Sequence, residues 1–143
     1  MNTRRADGYE ISTDATRLDI GRVHNWLSTD AYWARGRNRE TVERSVGTSL
    51  NFGTYDPEGE QVAYARVVTD LATFAWLCDV YVAPAHRGRG LGTWLAAAVR
   101  DHLTPYRLGR VMLSTRDAHE VYAKAGFVPF PDIRNLMVMS LDT

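Results

Sequence analysis

The stretch from Phe74 to Leu103 constrains this chain more tightly than any other, because three kinds of sequence meet in it without a gap. Phe74–Val82 is apolar and strand-like, and His86-Arg87-Gly88-Arg89-Gly90-Leu91-Gly92 is a turn with three alternate glycines. Leu91–Leu103 then carries a helical apolar run through Trp94, Leu95, Ala98 and Val99, which Pro105 stops. A strand that passes through a turn into a helix returns its next strand parallel to the first, through a right-handed crossover. The turn also carries chemistry. Its glycines let backbone N–H groups converge on one space, and the first turn of the helix adds unpaired N–H groups and a positive dipole end. Arg87 and Arg89 add charge at the rim. The whole suits a pyrophosphate better than it suits a plain surface connection.

Two common phosphate sites are excluded. A Walker loop needs Lys followed by Ser or Thr after its last glycine, and here Gly92 precedes Thr93-Trp94. The dinucleotide fingerprint needs another glycine where Thr93 stands and an acidic residue about 20 positions on. That neighbourhood reads Arg110-Val111-Met112, which argues against nicotinamide binding.

The remainder of the chain predicts a strand over 9–12, a helix over 18–27 capped by Asp14 or Thr16, and a polar loop or short helix over 28–38. A second helix over 40–48 precedes strands over Leu50–Tyr55 and 61–68, with Asp56-Pro57-Glu58-Gly59 as hairpin punctuation. After the glycine turn and its helix come a strand over 110–114, a helix over 117–125 ended by Gly126, and a last strand over 136–141. Two helices, a three-strand meander and then alternating helix and strand read as α+β with a mixed central β-sheet flanked by helices.

The 143 residues support one domain, 1–143, with a single core. A formal charge of +0 argues against a general nucleic-acid binder, and Arg35, Arg37, Arg39 and Arg44 read as a solvated local run. No stretch approaches the length of a membrane span, and the polar first ten residues lack the apolar core of a signal peptide, so a cytoplasmic address is expected. Cys78 is the only cysteine and reads as a buried, inert thiol. His24, His86, His102 and His119 lack metal-ligand spacing, so no metal is expected.

One family matches the spacing of the turn. Arg87-Gly88-Arg89-Gly90-Leu91-Gly92, preceded by Val80-Tyr81-Val82-Ala83-Pro84, resembles the acetyl-CoA signature of the GNAT family of N-acetyltransferases. Ala118-His119-Glu120-Val121-Tyr122-Ala123-Lys124-Ala125-Gly126-Phe127 resembles that family's later helix with its Tyr-x-x-x-Gly-Phe ending. The resemblance implies that the two parallel strands splay apart to form an acyl-CoA cleft. It implies that Val80, Tyr81 and Val82 pair with the pantetheine arm and that Arg87, Gly88, Arg89, Gly90, Leu91, Gly92 and Thr93 hold the pyrophosphate. Thr115 stands where the family often has an asparagine that contacts the cofactor. A homodimer is also within the resemblance, since family members are often dimers.

Acetyl transfer to an amine needs a neutral amine, a donor for the developing oxyanion and a proton for the departing thiolate. Tyr122 occupies the position of the family's general acid; on spacing alone it is a helix tyrosine packed on the sheet. Asp79 is a charge inside an apolar strand, and alternation puts it on the opposite face from Cys78 and Val80 unless a bulge intervenes. It reads as a proton acceptor, as an anchor for the substrate's cation, or equally as half of a structural salt bridge with an arginine such as Arg116. Some family members carry a catalytic glutamate earlier on this strand, where Phe74 and Trp76 stand here. Tyr32, Trp33 and Trp76 suggest aromatic walls for the acceptor, with Phe52 and Tyr64 on strands that could contribute. The acceptor expected is a small-molecule primary amine, acetylated by direct transfer in a ternary complex. A peptide or protein amine, or a toxin acting on aminoacyl-tRNA, are rivals within the class, and a non-catalytic acyl-CoA sensor is the rival outside it.

Overall fold

In the computed structural model, which describes residues 1–141, six strands lie side by side in the order of the sequence. They are β1 Asn2–Arg4, β2 Glu10–Ser12, β3 Leu50–Tyr55, β4 Gln61–Thr69, β5 Phe74–Val82 and β6 Arg110–Met112. Every neighbouring pair is antiparallel except β5 and β6, which run parallel. The helices are α1 Ile20–Thr29, α2 Arg39–Gly47, α3 Leu91–Leu103 and α4 His119–Ala123. The sheet is therefore mixed and the class α+β.

Local chemistry explains most of these bounds. Asp19 caps α1, its carboxylate accepting the Arg22 N–H at 3.0 Å; Asp14 caps the single 3-10 turn ahead of it instead. Asn38 caps α2 through the Thr41 N–H at 2.8 Å. In the β3–β4 turn, Asp56 accepts the Glu58 and Glu60 N–H groups, and Gly59 takes the left-handed conformation at φ +87°. Leu91, Leu95, Val99 and Leu103 fall on one face of α3 at helical spacing and are buried, about 2 kcal/mol for each large side chain taken from water. Leu95, Val99 and Leu103 pack with Ile11, Phe52, Ala63, Val67 and Leu77 on one side of the sheet. On the other side α1 and α2 bury Val23, Trp26, Leu27 and Val42 against Tyr64 and Tyr81.

Four features depart from these expectations. β1 was hidden in polar residues; it forms because Asn2–Arg4 pairs in register with Glu10–Ser12 across a turn at Gly8, φ +94°. The strand expected over 110–114 is three residues long and the helix over 117–125 only five. The last strand expected over 136–141 does not form, and its apolar side chains are exposed. A β-prone run becomes a strand only on a partner edge, and here a three-residue β6 and the prolines at 129 and 131 give little to pair with.

Candidate active site

Pairing between β5 and β6 stops at Trp76 and Met112, so the rest of β5 has an unpaired edge facing the space between the two strands. That is the splayed cleft. Within the same stretch β5 carries a bulge. Cys78 faces Arg66 and Tyr81 faces Tyr64, so Asp79 and Val80 lie together opposite Ala65. Asp79 has φ +52°, a left-handed conformation that costs a non-glycine residue about 1 kcal/mol. The extra residue reverses the alternation of the strand. Ala75 and Leu77 lie on the α3 side before it; after it Val80 and Val82 pack there while Tyr81 turns to α1.

On the α3 side the glycine turn is laid out for an anion. Gly88 and Gly90 have φ +79° and +74°, which aims successive peptide units in directions that residues with side chains rarely adopt. Gly90 is the N-cap of α3 and no side chain caps the first turn, leaving the N–H groups of Leu91, Gly92 and Thr93 directed outward. The side chain of Leu91 is buried with Tyr9 and Val62, so only its backbone faces the cleft. At Gly92 an added Cβ would stand 3.7 Å from Val121 of α4 and 4.0 Å from Val82, ordinary contact distances, where the N-terminus of α3 sits between β5 and α4. Arg87 donates to the Val82 carbonyl at 2.9 Å and to Asp30 at 3.2 Å, while Arg89 is exposed. Arg5, which sequence reasoning missed, lies over the rings of Tyr9 and Trp94 with Nε and Nη2 bonded to Asp7 and Nη1 left 3.8 Å from a Cβ placed at Gly90. These donors suit a phosphate group.

Between β5 and the segment leading into α4, a cavity of about 420 Å³ is lined by Tyr32, Trp33, Arg37, Arg66, Trp76 and Asp79, and by Leu113, Ser114, Thr115, Asp117, Ala118 and Tyr122. Its buried floor is an ion cluster. Asp79 Oδ2 accepts from Arg66 Nε and Arg37 Nη1, both at 2.8 Å, and Oδ1 accepts from Trp33 Nε1 at 3.0 Å. Burial raises the pKa of the Asp79 carboxyl, but the two guanidiniums and the indole N–H outweigh it and hold the group below the ordinary carboxylate range. The salt bridge thus runs to Arg37 and Arg66, not to Arg116. Arg116 instead lies 3.8 Å over the Tyr32 ring, and its N–H donates to the Tyr32 hydroxyl at 3.1 Å, tying the loop after α1 to the segment before α4.

Arg37 also departs from the solvated run assigned to it: Arg35 and Arg39 are exposed while Arg37 turns inward. Arg66 was missed altogether. The signal lay in the pairing of two lone charges, one in each of two adjacent buried strands. Trp33 and Tyr32 are brought to the cavity with Trp76, but Phe52 and Tyr64 are core, and the Tyr64 hydroxyl donates to Asn51. Thr115 caps the approach to α4 by accepting the Ala118 N–H at 3.0 Å. Burial pushes the half-buried Cys78 thiol up to about 11, which keeps it protonated. Tyr122, on α4, lines the same cavity, and burial holds its hydroxyl up at about 12. No helix among the described residues is long and apolar enough to cross a membrane.

Comparison with known proteins agrees with this layout. Residues 20–127 match the acetyltransferase (GNAT) family. A Gibberella zeae protein assigned to the acetyltransferases is 32% identical over 143 aligned positions, spanning 87% of this chain and 80% of the relative. A crystal structure of a GNAT-family protein from Xanthomonas campestris superposes with a TM-score of 0.87 and 44% identity, covering 93% of both chains. Vibrio cholerae spermidine N-acetyltransferase, solved with CoA and spermine, shares the fold at a TM-score of 0.65 and 16% identity, over 85% of this chain and 81% of that one. The splayed strands, the glycine turn and the matched span lead to one conclusion: this chain belongs to the GNAT family of acetyltransferases.

Proposed function

We propose that residues 1–143 form one catalytic unit that moves an acetyl group from acetyl-CoA to the primary amine of a small molecule, by direct transfer in a ternary complex. The observation that carries this reading is that one cavity joins the unpaired edge of β5 to the Tyr122 side chain. In this reading acetyl-CoA supplies the acetyl thioester. Val80, Tyr81 and Val82 offer backbone groups along the pantetheine arm, and the turn from Arg87 to Thr93 receives the pyrophosphate, with Arg5 beside it.

The chemistry asked of the protein is modest. Tyr32, Trp33 and Trp76 hold the amine so that its lone pair meets the acetyl carbon, and alignment alone supplies a large part of the rate. As the C–N bond forms and the C–S bond breaks, the Tyr122 hydroxyl gives its proton to the sulfur. The nitrogen loses a proton to water, and Tyr122 is restored from solvent. Asp79, with both oxygens engaged, acts as a positioning residue for Arg37 and Trp33. Thr115 positions the start of α4 and hence Tyr122.

The test is CoA release, followed with a thiol reagent, from acetyl-CoA and a panel of primary amines. Release that depends on an amine, with the N-acetyl product found by mass spectrometry, is expected. Acetyl-CoA binding without release for any amine would favour an acyl-CoA sensor instead.

A further inference from the structure

Resting on the reading of this cavity as the acceptor site, we infer that the acceptor is an amine that also carries an acidic group, a carboxylate or a phosphate, held by Arg37 and Arg66. Three observations meet here. First, the ion cluster is unbalanced: two guanidiniums share one carboxylate, and the side chains are only 22%, 15% and 2% exposed for Arg37, Arg66 and Asp79. Buried charge without a partner is costly, so this end of the cavity, with one positive charge in excess, favours an anionic group; Asp117, the cavity's other carboxylate, lies toward Tyr122 and bonds to neither guanidinium. Second, donors remain. Arg66 spends Nε on Asp79 and Nη1 on Ser49, and Arg37 spends Nη1 on Asp79. Among the described residues, Arg66 Nη2 and Arg37 Nε and Nη2 donate to no protein atom, while both residues line the cavity. A guanidinium with two adjacent donors left matches the paired oxygens of a carboxylate or phosphate. Third, the cluster is rigid. Arg66 is fixed on a central strand, Asp79 at a bulge, and the Arg37 backbone by the His24 ring at 3.1 Å, so little order is lost when a ligand binds.

The same charge helps the acceptor arrive neutral, and Asp117, a second carboxylate on the cavity wall near Tyr122, is placed to take its proton. An ammonium near two guanidiniums is destabilised relative to the amine, so its pKa falls toward neutrality. An acceptor with nothing but cationic groups meets repulsion and no counter-charge from Asp79. Asp79 is therefore no anchor for the substrate's cation; its charge is already taken.

The experiment separates this inference from the transfer reaction by measuring binding of products. Thermal unfolding is followed with saturating CoA and either N-acetyl derivatives of the standard amino acids or their C-terminal amides. N-acetylglucosamine 6-phosphate against N-acetylglucosamine forms the phosphate arm. At least one acid-bearing compound is expected to bind about 10-fold more tightly than its uncharged partner, and the arm in which it falls identifies carboxylate or phosphate. Arg37→Gln should collapse that ratio to about 2-fold or less, and Arg37→Lys, which keeps the charge, should restore part of it. Equal binding of acid and amide, or binding of no acid-bearing compound, overturns the inference. So does amine-dependent CoA release confined to amines without an acid, a result that leaves the transfer reaction itself standing. Absence of CoA release for every amine overturns the transfer reading even where acid-bearing compounds bind.

Discussion

The two sides of β5 are built on different principles. On the α3 side the groups offered to a ligand are backbone: peptide edges of Val80 to Val82, the left-handed glycines at 88 and 90, and the first N–H groups of α3. Around the acceptor cavity the groups are side chains, from Tyr32, Trp33, Arg37, Arg66, Trp76 and Tyr122, which come from four separate segments. Backbone recognition needs a particular local conformation, so it leaves a short signature in consecutive residues. Side-chain recognition needs only that distant residues converge, so it leaves almost none.

The contrast can be broken by mutation. The largest effect is expected at Asp79→Ala, which leaves Arg37 and Arg66 buried without their counter-charge. Stability should fall by about 3 kcal/mol, read from chemical denaturation, with acceptor binding lost and acetyl-CoA binding retained. A variant as stable as the parent would show that the cluster relaxes into water. Next, Tyr122→Phe should reduce kcat by about 100-fold while the Kd for acetyl-CoA changes less than about 2-fold. An unchanged kcat would remove Tyr122 from proton transfer.

Gly90→Ala sharpens the other side. It has room, with Arg5 at 3.8 Å, but the left-handed φ of +74° costs alanine about 1 kcal/mol, so acetyl-CoA should bind several-fold more weakly with little change in acceptor selectivity. A change in selectivity instead would mean that the two sides are coupled.

The smallest effects concern pH. Asp79 has its folded pKa below the unfolded value near 3.8, so its contribution to stability is present above that value and is lost as pH falls through the folded pKa. Acid unfolding of Asp79→Asn should therefore lose that part of the pH dependence below pH 4. Tyr122, held at about 12, should produce no falling limb in kcat between pH 7 and about pH 10.

Much of the framework was legible because it is local. The glycine turn, α3, the β3–β4 hairpin and the parallel return of β6 follow from adjacent residues and from the handedness of crossovers. The run over 136–141 shows the limit: its residues favour a strand, yet a strand is a property of two chains of peptide groups, and no edge receives it here. Arg37 shows another. In the sequence it is indistinguishable from Arg35 and Arg39, and only the turn of its loop sends it inward.

By itself, the sequence determined where an anion can meet backbone, since glycine conformation and helix termini are set by neighbours along the chain. Tertiary structure alone decided the state of Asp79. A one-residue bulge reversed the strand's alternation, and Arg66 from β4 with Arg37 from a loop 42 residues away along the chain closed around its carboxylate. The energy of a charge depends on what surrounds it in space, and that is fixed only when distant segments pack.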